Sequence, residues 1–342
     1  MTSRRGVLLI GAAALAALSP FPPALVERWY SNGVYPPLQH GLTSASNLVP
    51  VSLFDVLCVA ALAALLIVLV RSIRRAGWMR GAAATAVRVI VAAAAVYLVF
   101  LVCWGLNYRR VPLQDKVAFE EGRLTRAATD AFGERVVSQL NALYLPAHAA
   151  SESLDALAGA FETSLHALRT PPIVVGRPKQ TLFGGYFHAA AIAGMTDPFF
   201  LETLVAPDLL DVERPFVIAH EWAHLAGYAD ESEANFVAWL TCTRANPRAQ
   251  YSAWLALFGH ALSAAHDKRA MLRAIQPGPR IDLQAIADRY AQTPRVVRFA
   301  ARETYDRYLK ANRVERGVES YDAVIELIVG TQFGGEGFPE MK

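Results

Sequence analysis

The stretch FVIAHEWAHLAGYADESEANF, residues 216–236, contains the residue types and the spacing that bind a metal ion. At its centre is an HExxH motif, formed by His220, Glu221 and His224. In a helix, side chains four positions apart project from one face, so both imidazoles can reach one cation. Glu221 is turned by about 100° from His220, where it can take a proton from a metal-activated water. Because zinc lowers the pKa of a bound water to about 7, the motif predicts hydrolytic chemistry at neutral pH.

Three acids just after the motif compete to be the third metal ligand: Asp230, Glu231 and Glu233. Asp230 and Glu233 also fit a capping box, as the N-cap and the third helical residue, which gives both a structural role. Glu231 shares its helix face with small residues, which favours a close approach to the HExxH helix. Asn235 lies one turn further on that face and can hydrogen-bond the outer nitrogen of a ligand histidine. The residues therefore favour Glu231 and leave the other two acids open.

The elements that must position these residues indicate an α+β, mostly helical fold with a small β-sheet. Helical periodicity predicts helices over about 212–226 and 231–244, which carry the HExxH motif and the acids. Short apolar runs predict strands at 173–175, 183–193 and 199–205, upstream of the motif. The order of strands followed by an HExxH helix is the one that zincin-like metallopeptidases use, with an edge strand, 187–193 or 199–205, to pair with an extended substrate.

Composition places much of the remaining chain in a membrane. Of 342 residues, 54% are hydrophobic and 18% are charged, and the mean hydropathy is +0.26. These values exclude a disordered chain and a simple cytosolic globular protein, in which about 25% of residues are charged. The net charge of +3 is too small to indicate a nucleic-acid partner. Cys58, Cys103 and Cys242 lie far apart in the sequence, which excludes a disulfide framework and a cysteine-based zinc site.

Three apolar segments within residues 1–110 predict transmembrane helices at about 6–26, 51–70 and 88–106. Spanning a bilayer takes about 20 apolar residues, because every backbone polar group must be satisfied inside the helix. The first segment follows two arginines and runs into three prolines, so a cleaved signal peptide is the alternative there. Residues 111–342 have the composition of a globular domain.

The distribution of arginine sets the orientation. Arginines precede the first segment and cluster between the second and third, with no acid among the latter, and arginine-rich loops face the cytoplasm. They are Arg4 and Arg5, then Arg71, Arg74, Arg75, Arg80 and Arg88. The sequence thus predicts a multi-pass protein of the bacterial cytoplasmic membrane, with the lipid bilayer as partner and residues 111–342 on the extracytoplasmic side. This orientation is the same if the first segment is removed.

Two patterns of zinc peptidases are similar to the sequence around the acids. ESEAN, which begins at Glu231, resembles the ExxA[DN] signature of thermolysin-like enzymes. That resemblance implies that Glu231 binds zinc and that Asn235 supports a histidine. The metzincin-like pattern HExxHxxGxxD also fits from His220 onward, and it would instead imply Asp230 as the ligand.

A further resemblance covers almost the whole chain. Three apolar segments that end in WGLNYRR, then GMTDPFFLETLV, the HExxH region and GVESYDAV are similar to the bacterial domain-of-unknown-function family 3810. This resemblance implies a membrane-bound, zinc-peptidase-like protein and leaves the substrate open. It also makes Tyr321, in GVESYDAV, the first candidate to stabilise the oxyanion of the transition state. Tyr186, His188 and Tyr228 are alternatives because they lie near the motif in the sequence.

The function that these features predict is that of a membrane-anchored zinc metallopeptidase acting on peptides or proteins. His220, His224 and Glu231 would hold one Zn²⁺ per chain, and Glu221 would activate the water. Two alternatives remain: a zinc hydrolase of a non-protein amide, such as a cell-wall peptide, and a non-catalytic, zinc-stabilised membrane scaffold or sensor. The glutamate of the motif favours an enzyme, since a structural zinc needs no base.

Overall fold

The structure is a computed structural model that describes residues 4–314 and 323–342. Within these residues it is mostly helical with one three-stranded sheet, as the sequence predicts. The α-helices are α1 Arg4–Leu18, α2 Pro23–Leu25, α3 Tyr35–Asn47, α4 Leu53–Ala76, α5 Trp78–Cys103, α6 Leu113–Lys116, α7 Arg126–Ala149, α8 Leu154–Ala167, α9 Gly184–Ala190, α10 Arg214–Leu225, α11 Glu231–Cys242, α12 Pro247–Ala264, α13 Lys268–Ala274, α14 Pro277–Ala291, α15 Arg295–Ala311 and α16 Ala323–Gly330. The strands are β1 Pro178–Lys179, β2 Gly194–Thr196 and β3 Thr203–Val205. A π-helical stretch, Val26–Val34, joins α2 to α3, and 3₁₀ turns occupy Gly105–Arg109 and Glu121–Arg123.

Two helices, α4 and α5, are long and apolar enough to cross a membrane. They contain the second and third apolar segments, and much of their apolar surface is exposed. Gly77 alone separates them, so they form an antiparallel hairpin. The prediction that a loop carries the arginines between the second and third segments is therefore wrong. These arginines lie on the last turns of α4 and the first turns of α5, because both helices continue beyond their apolar runs.

The first apolar segment is not one straight helix over residues 6–26. α1 ends at Leu18 after 15 residues. A helix of that length spans about 22 Å, less than the roughly 30 Å of a hydrocarbon core. Pro20, Pro22 and Pro23 follow, and proline restricts the backbone before it and lacks the N–H that a helix needs. The chain then bends by 110° into Pro23–Asn47, and this bent pair counts as a third candidate span only if it is taken as one unit.

The sheet has the order β1-β3-β2, with β1 parallel and β2 antiparallel to β3. β3 lies within the predicted strand 199–205, but the prediction for 183–193 is wrong. Most of that run is α9, in which Phe187 and Ala190 are buried three positions apart, and Phe187 packs against Leu204 of β3. A spacing of three fits a helix and not the two-residue period of a strand. The described residues 173–175 also form no strand.

One buried hydrophobic cluster includes residues from both sides of position 110. Tyr35 and Trp104, from the N-terminal part, belong to the same cluster as Trp222 and Phe236 from the later helices. The division into a membrane part and a globular part at residue 110 stays a prediction, and the packed core continues across it.

A buried polar cluster fastens the sheet to the first turn of α4. Glu202 accepts hydrogen bonds from the N–H groups of Leu53 and Phe54, at 3.1 and 3.0 Å. A carboxylate at this position satisfies the free amides of a helix N-terminus and interacts favourably with its dipole. Lys179 of β1 forms an ion pair with Glu202, and its ammonium group also donates to the carbonyl of Ser46 at 2.7 Å. The N-terminal end of α4 is thereby held directly by the sheet.

Candidate metal centre

The HExxH motif lies on α10, at nearly the predicted bounds. Pro215 stands in the first turn of the helix, where its missing N–H costs no hydrogen bond. Gly227 has a φ of +83° just after the helix, a conformation that side chains with a Cβ rarely adopt. This turn reverses the chain, so that α11 begins four residues later and packs against α10.

The first turn of α11 presents Glu231 to the HExxH helix. Asp230 caps α11 by accepting hydrogen bonds from the N–H groups of Ser232 and Glu233, at 2.9 and 3.3 Å. The cap fixes where the helix starts, and therefore which acid faces α10. Glu231 is almost completely buried there.

Three donor atoms converge between the two helices. His220 Nε2 and His224 Nε2 are 3.1 Å apart, and Glu231 Oε2 lies 3.2 and 3.5 Å from them. Zinc bonds of about 2.0–2.2 Å in a tetrahedron place neighbouring ligand atoms about 3.3–3.6 Å apart, close to these distances. Glu231 Oε2 is also buried with no hydrogen-bond partner among the described residues. Both the spacing and this unsatisfied oxygen fit a small divalent cation.

The other nitrogen of each imidazole is held by the protein. His220 Nδ1 lies 2.9 Å from Asn235 Oδ1, the partner that the sequence predicts. His224 Nδ1 lies 2.7 Å from the carbonyl oxygen of Tyr228. Since both oxygens only accept hydrogen bonds, each Nδ1 carries the proton and each Nε2 is left for a metal.

The pKa shifts of His224 and Glu231 favour a positive charge between these two groups. Burial acts to lower the pKa of His224, but the Glu231 carboxylate outweighs it and raises that pKa to about 9. Burial likewise acts to raise the pKa of Glu231, but the two histidines outweigh it and hold that pKa well below its ordinary value. A proton is therefore stabilised between the carboxylate and the imidazole, and a bound cation would displace it.

The two competing acids have other roles. Asp230 is the N-cap of α11, and Glu233 accepts a hydrogen bond from the N–H of Leu113. Glu233 therefore does not complete the predicted capping box, because its carboxylate turns to the segment after the candidate spans. Burial and the charge of Asp230 raise the pKa of Glu233 to about 7. The structure brings Glu231 to the imidazoles, while metal binding itself stays a prediction.

Glu221 lies beside the triad and is positioned by β2. The hydroxyl of Thr196 lies 2.9 Å from Glu221 Oε2 and 2.9 Å from the carbonyl oxygen of Glu221. A Cβ on Gly194 would lie 2.6 Å from Glu221 Oε1 and 2.8 Å from Val217, so only glycine leaves room for the carboxylate. Burial raises the pKa of Glu221, which favours the uptake of a proton.

The edge strand next to α10 is β2, so both predictions of the edge are wrong. β2 follows 187–193, and 199–205 contains β3, the central strand of the sheet. The carbonyl oxygen of Ala193 and the N–H of Asp197 bond to the β3 side, at 2.9 and 3.0 Å. In an antiparallel pair the backbone groups alternate in direction, so those of Gly194 and Thr196 point to the outer edge.

Two of the predicted oxyanion stabilisers, Tyr228 and His188, have side-chain partners other than the three converging residues. Tyr321 lies outside the described residues. Tyr228 turns its hydroxyl to Thr170, and His188 pairs with Asp208. Tyr186 is 53% exposed.

Sequence reasoning missed Tyr305, whose hydroxyl donates a hydrogen bond to Glu231 Oε1. It lies on α15, whose many charged residues are typical of a solvated surface helix. The available signal was the four-residue spacing between Tyr305 and Leu309, which is fully buried.

Side chains from the N-terminal part bind the C-terminal end of α10. A helix ends with carbonyl groups that have no partner within it. Three such carbonyls are satisfied by residues 35–110: that of His224 by Trp104 Nε1 at 2.9 Å, that of Leu225 by the Tyr35 hydroxyl at 2.8 Å, and that of Ala226 by Arg110 Nη1 at 3.4 Å. The C-terminal end of the HExxH helix is therefore held by residues of the N-terminal part of the chain.

Comparisons with known proteins identify a family and no activity. Residues 30–329 match the family described as "Protein of unknown function (DUF3810)". No curated protein matches the chain. No solved structure matches it either.

Proposed function

This chain belongs to the DUF3810 family, and we propose that it is a membrane-anchored, zinc-dependent metallopeptidase. His220, His224 and Glu231 would hold the zinc ion, and Glu221 would be the general base. The observation that carries the proposal is the convergence of the three donor atoms at tetrahedral spacing, with Glu221 next to them and outside the ligand set.

The chain's own groups supply the parts of a peptide hydrolysis. A bound zinc ion would polarise a water and the substrate carbonyl. The buried Glu221 carboxylate takes a proton from the attacking water and delivers it to the leaving amine, a use for which its raised pKa is suited. Thr196 fixes the orientation of that carboxylate. Asn235 and the Tyr228 carbonyl keep the imidazoles turned toward the zinc site.

The edge of β2 favours an extended peptide over a non-protein amide as substrate. The outward N–H and C=O groups of Gly194 and Thr196 can add a substrate strand to the sheet. The same strand holds Glu221, so the bound backbone would lie beside the base. A hydrolase of cell-wall peptide is the second candidate, because short peptides can use the same edge.

The membrane arrangement that we propose has α4 and α5 crossing the bilayer and the bent α1–α3 segment as a third span. The arginines around Gly77 support a cytoplasmic location for the α4–α5 turn, which places the metal centre on the extracytoplasmic side of the cytoplasmic membrane. A cleaved signal peptide at the N-terminus would leave this orientation unchanged.

Turnover of an unbiased peptide library by the full-length protein in detergent or nanodiscs tests the proposal. The wild type should cleave, and Glu221→Gln should lose at least about a hundredfold in rate while keeping its zinc, because a general base contributes about 10²–10⁴. Glu162→Gln, an exposed glutamate on α8, is the matched control and should cleave like the wild type. Zinc-loaded wild type that cleaves nothing, or equal cleavage by Glu221→Gln, would contradict the proposal and favour the scaffold alternative.

A further inference from the structure

The candidate metal centre lies unusually close to the end of a candidate span. Trp104 directly follows the last residue of α5, and its ring centroid is 6.1 Å from that of His224. Its Nε1 donates to the His224 carbonyl at 2.9 Å. More than a hundred residues of sequence separate the motif from α5, yet one aromatic side chain connects them in the fold.

The lipid-facing surface of α5 reaches almost to Trp104. Val99 and Val102, in its last turns, are 50% and 57% exposed. From Val102 to Trp104 a helix rises about 3 Å. The ring centroids of Trp104 and His224 are 6.1 Å apart, so the imidazole lies within on the order of 10 Å of the apolar surface. The polar layer on each side of a bilayer is about 5–8 Å thick, so the centre lies at the outer boundary of the headgroups.

A group of exposed apolar side chains lies by the first turn of α4, which is next to the last turn of α5 in the hairpin. Leu182, Phe183 and Tyr186, in and before α9, are 82%, 39% and 53% exposed. The N–H of Leu182 bonds to Asp55 Oδ2 at 2.6 Å, and Asp55 belongs to the first turn of α4. These side chains therefore lie at the N-terminal end of α4, where aromatic and apolar residues suit the interface between bilayer and water. They also precede β2, the edge that we propose to bind the substrate.

We propose that the centre acts on peptide bonds close to the outer membrane surface, in the juxtamembrane segment of a membrane-inserted polypeptide. The inference rests on the proposed peptidase function and deepens it. An extended chain advances about 3.3 Å per residue, so about three residues beyond a span reach a centre 10 Å from the hydrocarbon. Bonds about 3–10 residues from a span end can reach such a centre without unfolding a distant domain.

A reporter series tests the position dependence. Each reporter has one apolar span and a flexible outer linker with the same cleavable hexapeptide, taken from the library, about 5 or about 25 residues from the span. Reporter and full-length protein are reconstituted together in phosphatidylcholine vesicles, and the rates are compared with that for the free hexapeptide. We expect cleavage at least about tenfold faster at the near position. Anchoring raises the local concentration of both reporters equally. The ratio of their cleavage rates therefore isolates the effect of the distance between the cleavable bond and the membrane.

The outcomes separate the two proposals. Equal rates at both positions, or faster cleavage at the far one, would leave the peptidase intact and overturn the juxtamembrane inference. Zinc-loaded protein that cleaves none of the three substrates would overturn the peptidase, and the inference with it.

A depth measurement tests the placement without catalysis. A fluorophore is attached at Leu182→Cys, or at Leu272→Cys as the control, in a variant with the native cysteines replaced, and quenched by headgroup-labelled lipids. Leu272 is an equally apolar, 45% exposed residue on α13, which packs against α7 and α12. Quenching should be strong at position 182 and weak at 272. Equal quenching at the two positions would overturn the placement.

Discussion

Replacing Asn235 by alanine should weaken zinc binding and leave the fold largely intact. Asn235 Oδ1 is the acceptor for His220 Nδ1, at 2.9 Å, and the residue is 4% exposed. Without it, the imidazole loses the contact that sets its tautomer and its orientation. The Nδ2 of Asn235 has no hydrogen-bond partner among the described residues. Alanine therefore removes a side-chain amide of which only the oxygen is hydrogen-bonded.

The magnitude follows from the role of such a contact. Loss of a group that orients a metal ligand costs about 10–100-fold in metal affinity, or about 1.4–2.7 kcal/mol. The free energy of unfolding of the metal-free protein should change by only about 1 kcal/mol, since one neutral hydrogen bond is lost and alanine favours the helix. The two effects can therefore be measured apart.

Competition with a zinc chelator of known affinity, on the full-length protein in detergent, gives the dissociation constant. Asn235→Asp keeps an acceptor for Nδ1 and should bind zinc at least as tightly as the wild type. Thr241→Val is the control on the same helix, because Thr241 is fully buried with no partner for its hydroxyl among the described residues and lies away from the centre. Unchanged affinity in Asn235→Ala, or a loss of the same size in Thr241→Val, would refute the reasoning.

Three further predictions concern the elements around the centre. Gly194→Ala should lower turnover at least tenfold at unchanged zinc content, because the new Cβ displaces the Glu221 carboxylate; peptide assays and elemental analysis check this. Trp104→Phe should lower the free energy of unfolding by about 1–3 kcal/mol, measured by denaturant titration, since it leaves a buried carbonyl without its donor. Lys179→Met should cost about 3–5 kcal/mol in the same assay by leaving the Glu202 carboxylate unpaired, and adding Glu202→Gln should restore part of that loss.

Each of these changes has a matched comparison. Gly185→Ala adds a Cβ that meets no described atom within 4 Å, so it should keep full activity. If it fails like Gly194→Ala, the packing argument is wrong. Trp29→Phe alters an indole that is 64% exposed and should leave stability unchanged. A Lys179→Met variant as stable as the wild type would show that the buried pair does not hold the sheet to α4.

The sequence predicted those parts of the fold that depend on local chemistry. The spacing of His220 and His224 predicts one helix face, and Asp230 as N-cap places Glu231 at the start of α11. The apolar runs of α4 and α5 identify those helices without tertiary information. Each of these features depends on residues that are close to each other in the sequence.

The features that sequence reasoning missed depend on contacts between distant residues. Tyr305 reaches Glu231 across 74 positions, and its spacing of four from Leu309 can indicate a buried helix face but not this partner. A short apolar run such as 183–193 does not distinguish a helix from a strand by its periodicity. The burial of Phe187 against β3, a contact between distant residues, favours the helix α9. Likewise, the contact between Trp104 and α10 could not be predicted from a separation of 120 residues.

The zinc content of the purified full-length protein, measured by elemental analysis, tests the central claim most directly. The wild type and Glu221→Gln should each carry one zinc per chain, because Glu221 is not a ligand. His220→Ala should lose the metal, since it removes one of the three converging donors. No stoichiometric metal in the wild type would contradict the account, and the convergence of His220, His224 and Glu231 would then be a buried hydrogen-bonded cluster only.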